Sequence, residues 1–435
     1  MKNYKLTLLS ACMTLTLAAC GGSSSNDTGK TGGGGKPTAQ TISLSALKSQ
    51  CGQEVAYSTD IVFHNADGDP VGSAKTDSNG AFNGALPEGT KHLSVIGDVR
   101  DRDLETFKQI YTELDISERT NLGSFYFQNY TESCGCSEYL VDKSELSGDI
   151  ANAAMRYGSG NILRNSVKIC PDQTELYITA TDYRYDLGKA AIVKVPSDSN
   201  TIKLSNSDFV YDGLAIEPVF WTNAEFMSTR GYKNSLGRYV FGQSVSGQST
   251  DPMYIFPAHT DVNFLNQYIT QSVSVNRIDI DFYVHARNAV SEEGKYTLTQ
   301  LPEISTSLSD DLIAASNSSA ATYDFSSTDE RFARATWGFS FLVDDAAETR
   351  FDWNIRGGIR GEIPDLSFGQ VFPEPKGQID LEILSIYLYG YEGQATDNKS
   401  FSALLDEYAK GDSRENRKFD NLVSIEVVAN LDTVY

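Results

Sequence analysis

The sequence predicts a mainly β protein, with a small N-terminal β-sandwich followed by a larger antiparallel β-sandwich or open barrel that carries a few short helices. Apolar and β-branched residues alternate with polar ones over most of the chain, which is the period of a strand with one buried face. Turn sequences rich in Gly, Asn and Asp separate these stretches, and helical signals are few. The chain shows no internal repeat, which disfavours a propeller or a solenoid.

The N-terminal sandwich is predicted over residues 51–133. The sequences at 67–70 (Asp-Gly-Asp-Pro) and 77–80 (Asp-Ser-Asn-Gly) are typical of tight turns, because Gly and Asn tolerate the positive φ that a hairpin turn requires. The first turn also begins like a calcium loop at Asn65. Pro70 stands where that loop needs its turn glycine, so a hairpin is favoured.

Four segments of this region resemble the carboxypeptidase regulatory-like domain, a transthyretin-like β-sandwich. They are Asp67 to Val71, Thr76 to Phe82, Leu86 to Thr90 and Asn121 to Gly123. Ala81 replaces the long polar residue often found before the Phe in that family. The resemblance covers about a fifth of the chain. It implies a non-catalytic accessory domain and carries over no active-site residue.

Residues 134–435 are predicted to form one or two further β-rich domains. Strands are expected at 174–181, 189–195, 238–245, 273–286, 295–301, 331–343, 349–356, 378–391 and 422–430. One short helix is expected at 149–157. A second is expected at 400–410, capped by Ser400 or Ser402 and burying Phe401, Leu404, Leu405 and Tyr408 against a sheet.

Two of these strands carry aromatic rows that are predicted to lie in the core. Each row occupies alternate positions, so its members share one face of a strand. The rows are Trp337, Phe339, Phe341 and Val343 on the first strand, and Phe351, Trp353 and Ile355 on the second.

The first nineteen residues have the layout of a secretory signal peptide: a start with Lys2 and Lys5, an apolar stretch, and small residues before Cys20. The apolar stretch is shorter than the ~20 residues that a membrane-spanning helix needs. The segment Leu17 to Gly21 (Leu-Ala-Ala-Cys-Gly) resembles the lipobox of bacterial lipoproteins. This resemblance implies cleavage before Cys20 and acylation of its thiol, for example with palmitate. Because Gly21 is not the Asp of inner-membrane lipoproteins, we expect an anchor in the outer membrane, on either face.

Residues 20–50 are predicted to be the lipidated cysteine and a flexible Gly/Ser tether. Gly-rich runs with almost no apolar side chain cannot offset the entropy of ordering. The run before Lys36 continues into Pro37, unlike a phosphate-binding loop.

The mature chain is strongly acidic and retains an even number of cysteines. The net charge of the full sequence, −22, disfavours nucleic acid as a partner and leaves solubility or divalent-cation binding as explanations. Cys51, Cys134, Cys136 and Cys170 suggest two disulfides in an exported protein. A ring closed directly between Cys134 and Cys136 would be strained, so Cys51 and Cys170 are each expected to pair with one of them.

Two groups of side chains are candidates for a functional site. Asp279, Asp281 and His285 would lie on the polar face of one strand, where they form a metal or proton-transfer site or a solvated surface. Tyr387, Tyr389 and Tyr391 alternate on another strand. They form either a platform for sugar rings or part of the core.

The sequence therefore favours a non-enzymatic, membrane-anchored envelope lipoprotein that binds or displays a glycan, peptide or protein ligand, without a cofactor. HExxH and GxSxG motifs are absent from the sequence. The alternative is an exported hydrolase, for example of polysaccharide, with scattered carboxylates in 134–435. A deep cleft with two carboxylates ~5–10 Å apart would favour the hydrolase, and a flat or aromatic-lined surface would favour binding.

Overall fold

The computed structural model describes residues 40–431, except 51–52, 102–104, 131–133, 159, 162–164, 172, 183, 185, 218–223, 247–250, 276, 306, 316–320, 345–348, 373–377 and 411–415. The predicted mainly β fold is confirmed. The signal peptide and Cys20 lie outside the described residues, as do Cys51 and Trp221.

The strands run in chain order, with the first eight in the N-terminal region. These are β1 (Thr41–Gln50), β2 (Gln53–Ala56), β3 (Asp60–His64), β4 (Pro70–Lys75), β5 (Ala81–Ala85), β6 (His92–Arg100), β7 (Thr106–Glu113) and β8 (Asn121–Phe127). The next twelve are β9 (Ser137–Glu145), β10 (Ala154–Tyr157), β11 (Gly160–Asn161), β12 (Ser166–Ile169), β13 (Glu175–Asp182), β14 (Leu187–Lys194), β15 (Thr201–Ser205), β16 (Tyr211–Asp212), β17 (Leu214–Ile216), β18 (Phe226–Lys233), β19 (Arg238–Ser246) and β20 (Met253–Ile255). The last eight are β21 (Val262–Val275), β22 (Ile278–Val290), β23 (Ala321–Asp324), β24 (Arg334–Asp344), β25 (Thr349–Gly358), β26 (Arg360–Ile363), β27 (Gln378–Tyr391) and β28 (Leu422–Asn430). The α-helices are α1 (Gly148–Asn152), α2 (Ser307–Ala315) and α3 (Asn398–Lys410).

The N-terminal region is a β-sandwich of two four-stranded layers. One layer has the order β2-β1-β5, with β8 on the other edge of β1, and the second has the order β4-β3-β6-β7. Their inner faces share one apolar core, because apolar residues alternate along each strand. The core includes Ile42, Leu44, Ile61, Phe63, Leu93, Val95, Phe125 and Phe127.

The prediction of a tether as far as residue 50 is wrong for its last ten residues. Thr41–Gln50 is β1, which lies inside a sheet between β5 and β8. Ile42, Leu44 and Ala46 point into the sandwich core and are buried. This alternation has the strand period that the Gly-rich residues before it lack.

The two turns predicted in the sandwich differ in what they connect. At the first, Asn65 Oδ1 accepts hydrogen bonds from the amides of Asp67 and Asp69, and the turn joins the paired strands β3 and β4 as a hairpin. At the second, Asp77 Oδ1 accepts from the amides of Asn79 and Ala81. That turn leads from β4 to β5, which lie in opposite layers, so it crosses the sandwich instead of forming a hairpin.

A twelve-stranded sheet continues from the sandwich into the rest of the chain, with the order β19-β18-β21-β22-β28-β27-β24-β25-β7-β6-β3-β4. The connection is the parallel pair β25–β7, in which Trp353 lies beside Ile110. The sheet thus runs across the boundary predicted at residue 133, and the division into domains stays a prediction.

The main apolar core lies on one face of this sheet, under α2. Both predicted aromatic rows are confirmed as core, with Trp337 and Ile355 almost fully buried. The opposite face, called the polar face below, is largely polar along β22. It is apolar where β3, β6 and β7 face the sandwich core and where α3 covers the end of β27.

A smaller β-rich region spans residues 134–216. Its sheets have the orders β11-β10-β13-β14-β16 and β12-β9-β15. A disulfide joins Cys136 and Cys170 beside the pair β9–β12, as expected for Cys170 and one member of the Cys134/Cys136 pair. Cys134 is also disulfide-bonded; the pairing of Cys51 stays a prediction.

Several predicted elements differ from the structure. The helix predicted at 149–157 ends at Asn152 and is followed by β10, which pairs with β13. The strand predicted at 273–286 is two strands, because the chain turns at Arg277, whose φ is +71°. Residues 295–301 form no strand. The amide of Thr299 donates to the Asn288 side chain instead of to a neighbouring strand.

Helix α3 also differs in detail from its prediction. Its first turn is capped by Asp397, whose Oδ1 accepts from the amide of Ser400. Phe401 and Leu404 are buried as predicted, whereas Tyr408 is 44 % exposed. Asp406 is buried instead, because this side of the helix packs against polar groups of the N-terminal sandwich.

Candidate functional site

A cleft of about 970 Å³ lies between loops of the N-terminal sandwich, the strands β23 and β26, and the start of helix α3. Both its volume and its place at a junction are typical of ligand sites. We call it the seam cleft. Its lining includes Asp67, Lys91, His92, Leu114, Asp115, Tyr323, Ala333, Ile359, Arg360, Glu362, Pro364, Asp365, Asp397 and Asn398.

The seam cleft has an apolar floor and a charged rim. Leu114, Ile359 and Pro364 are buried beneath it. The rim carries five carboxylates against one lysine and one arginine. Most of these charged groups are exposed, namely Asp67, Arg360, Glu362, Asp365 and Asp397. The cleft therefore attracts positive charge and offers apolar surface below it.

Asp115 is the most constrained carboxylate of the seam cleft. Its backbone is left-handed, with φ of +48°. Lys91 Nζ and Ser117 Oγ donate to its Oδ1 at 2.6 and 2.7 Å, and Asn398 Nδ2 lies 3.5 Å from its Oδ2. Burial opposes ionisation, but these hydrogen bonds outweigh it and the pKa of Asp115 is lowered. This carboxylate is charged at neutral pH.

His92 lies in the wall of the cleft without a free ring nitrogen. Its Nδ1 accepts from the amide of Asp115 at 3.1 Å, and the ring also bonds to the backbone of Ala66. Burial lowers the pKa of His92, so the ring is neutral. His92 thus holds two walls of the cleft together and is unsuited to proton transfer.

Behind the cleft lies a buried group of charges, which we call the Glu113 cluster: Glu113, Arg119, Arg334, Arg356 and Asp406. Glu113 accepts from Arg334, and Arg356 Nη1 lies 3.4 Å from its Oε1. Arg119 Nη1 lies 4.0 Å from the other carboxylate oxygen. Burial alone would raise the pKa of Glu113, but the three guanidinium groups outweigh this effect and lower the pKa, so Glu113 is ionised.

Asp406 joins helix α3 to the N-terminal sandwich. Its carboxylate accepts from Arg119 Nε at 2.7 Å, from the amide and hydroxyl of Thr120 at 2.8 and 2.6 Å, and from the amide of Asn121 at 3.3 Å. The residues that begin this helix, Asp397 and Asn398, line the cleft. The cluster therefore fixes the position of the cleft walls before any ligand binds, which lowers the entropic cost of binding.

A second histidine resembles part of a catalytic dyad but is inaccessible. His64 Nε2 lies 2.9 Å from Ser94 Oγ, and its Nδ1 lies 3.1 Å from the Gly68 carbonyl. Ser94 is also bonded to Thr112, which accepts from the Trp353 indole. His64 and Ser94 are both fully buried, so this network stabilises the sheet and reaches no substrate.

The predicted row Asp279, Asp281 and His285 does lie on the polar face of β22, but the three side chains have separate surroundings. Asp281 accepts from Ser272 Oγ at 2.5 Å. His285 stacks on Tyr268 with ring centroids 4.6 Å apart and bonds to Asn266. In the described part of the chain, no group of three or more His, Cys, Asp or Glu side chains is placed to hold a metal ion.

The predicted ladder Tyr387, Tyr389 and Tyr391 is largely covered by helix α3. Tyr391 is buried, and both Tyr389 and Tyr391 contact Phe401 of the helix at centroid distances of 6.1 and 6.2 Å. Two of the three rings therefore belong to the core under α3. Tyr387 lies on the same face of β27, where it is half-buried and stacks on Tyr389 with ring centroids 5.4 Å apart.

Comparison with protein-family models gives no match for this chain, and comparison with curated proteins gives none either. None of the helices among the described residues is long and apolar enough to cross a bilayer.

Proposed function

We propose that this protein is a lipid-anchored envelope protein that binds a basic peptide segment in the seam cleft. The observation that carries the proposal is the excess of carboxylates above an apolar floor, between walls that the Glu113 cluster holds in place. Lysine or arginine side chains of a ligand would meet the carboxylates, while its apolar side chains would cover Leu114 and Ile359. Acylation of Cys20 would keep the cleft close to the membrane surface.

The cleft is tested by calorimetric titration with two capped tetrapeptides, one alternating lysine with leucine and one alternating glutamate with leucine. We expect only the lysine peptide to bind, and more weakly at high salt, because the exposed charges are screened. Glu362→Gln and Asp67→Asn should each weaken binding by about two- to fivefold. Glu88→Gln is the matched control, since Glu88 is exposed in the β5–β6 loop but does not line the cleft.

Equal binding of both peptides, or unchanged binding by both cleft variants, would reject this assignment. Release of cleaved peptide, or of reducing ends from a polysaccharide, would favour the alternative of an exported hydrolase.

The membrane anchor is tested separately by intact-mass analysis of the native protein. We expect loss of the first nineteen residues and the added mass of fatty-acyl chains on Cys20. The Cys20→Ser variant should lack the acyl mass and leave the membrane fraction. A native protein without acyl chains would disprove the anchor and leave the peptide-binding test intact.

A further inference from the structure

The polar face of the twelve-stranded sheet carries a row of three side chains that come from different parts of the sequence. On β22, Tyr283 lies directly opposite Glu426 of β28, and Glu426 lies directly opposite Tyr387 of β27. Neighbouring strands are ~4.8 Å apart, so the two tyrosines are about 10 Å apart with the carboxylate between them. We call these three residues the Glu426 patch.

Glu426 has no hydrogen-bond or ion-pair partner in the part of the chain that the structure describes, although it is half-buried. A carboxylate that is partly removed from water without a partner is unfavourable. Burial accordingly raises the pKa of Glu426. Hydroxyl donors from a ligand would supply the missing hydrogen bonds.

Next to Glu426 the patch is aromatic and open. Tyr283 is 44 % exposed, and its neighbour on β21 is the exposed Thr270. The Thr270 hydroxyl donates to Glu225 at 2.6 Å. The apolar core and α2 lie on the opposite face of the sheet, so the Tyr283 ring is accessible from solvent.

We propose that the Glu426 patch binds a neutral glycan chain that runs across the strands. A sugar ring would stack on Tyr283, and its hydroxyls would donate to the Glu426 carboxylate, which accepts but does not donate when ionised. The acidic surface repels anionic chains. Tyr387, which is half-buried and stacks on Tyr389 with ring centroids 5.4 Å apart, would border the far end of the bound chain. This site is distinct from the seam cleft and does not depend on the function proposed for it.

The experiment measures retention of the full chain by immobilised cello-, malto- and N-acetylchito-oligosaccharides, with oligogalacturonate as the anionic comparison. We expect at least one neutral oligosaccharide to bind and the uronate not to bind. Tyr283→Ala should weaken binding by about tenfold, whereas Tyr283→Phe should retain it, because stacking needs the ring. Glu426→Gln should weaken binding less, since the amide keeps one acceptor oxygen.

Tyr130→Ala is the matched control, because Tyr130 is a tyrosine of similar exposure, 48 %, in the N-terminal region. Circular dichroism and thermal melting establish that each variant folds. Glu362→Gln in the seam cleft should leave glycan binding unchanged. The proposal is overturned if no neutral oligosaccharide binds, or if Tyr283→Ala and Tyr130→Ala bind alike; capture of a protein instead of a glycan by this face would also overturn it.

Discussion

Replacing Glu113 by Gln should destabilise the whole molecule, because the Glu113 cluster joins the N-terminal sandwich to β24, β25 and α3. The Glu113 and Arg334 side chains are 5 % and 6 % exposed, so the loss of the carboxylate leaves the Arg334 charge buried without its counter-ion. Removing one partner of a buried ion pair typically costs about 3–5 kcal/mol. In the variant, Arg119 keeps its ion pair with Asp406, and Arg356 is a third exposed to solvent. The loss of stability therefore arises mainly from Arg334.

We therefore expect Glu113→Gln to lower the free energy of unfolding by about 3 kcal/mol, near the lower end of that range, because the amide oxygen still accepts one hydrogen bond. Urea unfolding followed by tryptophan fluorescence reports on this directly, since Trp337 and Trp353 lie in the main core. Glu88→Gln, an exposed control, should change the free energy by less than about 0.5 kcal/mol.

The difference between the wild type and Glu113→Gln should also depend on pH. The pKa of Glu113 is lowered in the folded state, so its contribution is present above the unfolded pKa of about 4.5 and is lost as the pH falls through the folded value. The variant has no carboxyl to titrate, so the two proteins should converge in acid. A loss below about 1 kcal/mol at neutral pH, or a gap that widens in acid, would refute the proposed role of this cluster.

Three further results are expected. Trp337→Ala should cost about 3–5 kcal/mol in urea unfolding, and an unchanged midpoint would show that its face is not core. Burial lowers the pKa of His259 to about 4. The imidazole of the unfolded chain is therefore protonated at a higher pH than that of the folded chain, and the free energy of unfolding falls as the pH drops from about 6.5 to 4. His259→Phe should reduce the fall in this free energy between pH 7 and pH 5 by about 2 kcal/mol, and an unaltered pH profile would contradict this. Gly68→Ala should destabilise far more than Gly89→Ala. Both residues have positive φ, but a Cβ at Gly68 would overlap the Asp365 carbonyl oxygen, whereas no residue that the structure describes lies within 4 Å of a Cβ at Gly89. Equal melting temperatures of the two variants would contradict the clash.

Local periodicity predicts much of this fold because strand burial has a period of two residues. The strand predicted at 378–391 is β27 with the same bounds, and the aromatic row from Trp337 is in the core as predicted. The failures occur where a partner outside the segment decides the structure. Asp406 is a charged residue of a type usually found at the surface. It is buried here because Arg119 and Thr120, which are far away in sequence, donate hydrogen bonds to its carboxylate.

The candidate sites follow the same division between local and distant information. Alternation predicts that Tyr283 lies on the polar face of β22 and that Tyr387 shares a face with Tyr389 and Tyr391. It leaves open whether that second face binds a ligand or packs in the core. Glu426 lies between the two tyrosines only because β28 pairs with both β22 and β27 in this register. The sequence around Glu426 contains no pattern that predicts this position. The seam cleft is harder to predict, because its lining comes from separate turns and strand ends in residues 66–115 and 323–398. Each of these segments has the composition of an ordinary solvent-exposed loop. A pattern reports which face a side chain lies on; pairing between distant strands decides which side chains share a ligand.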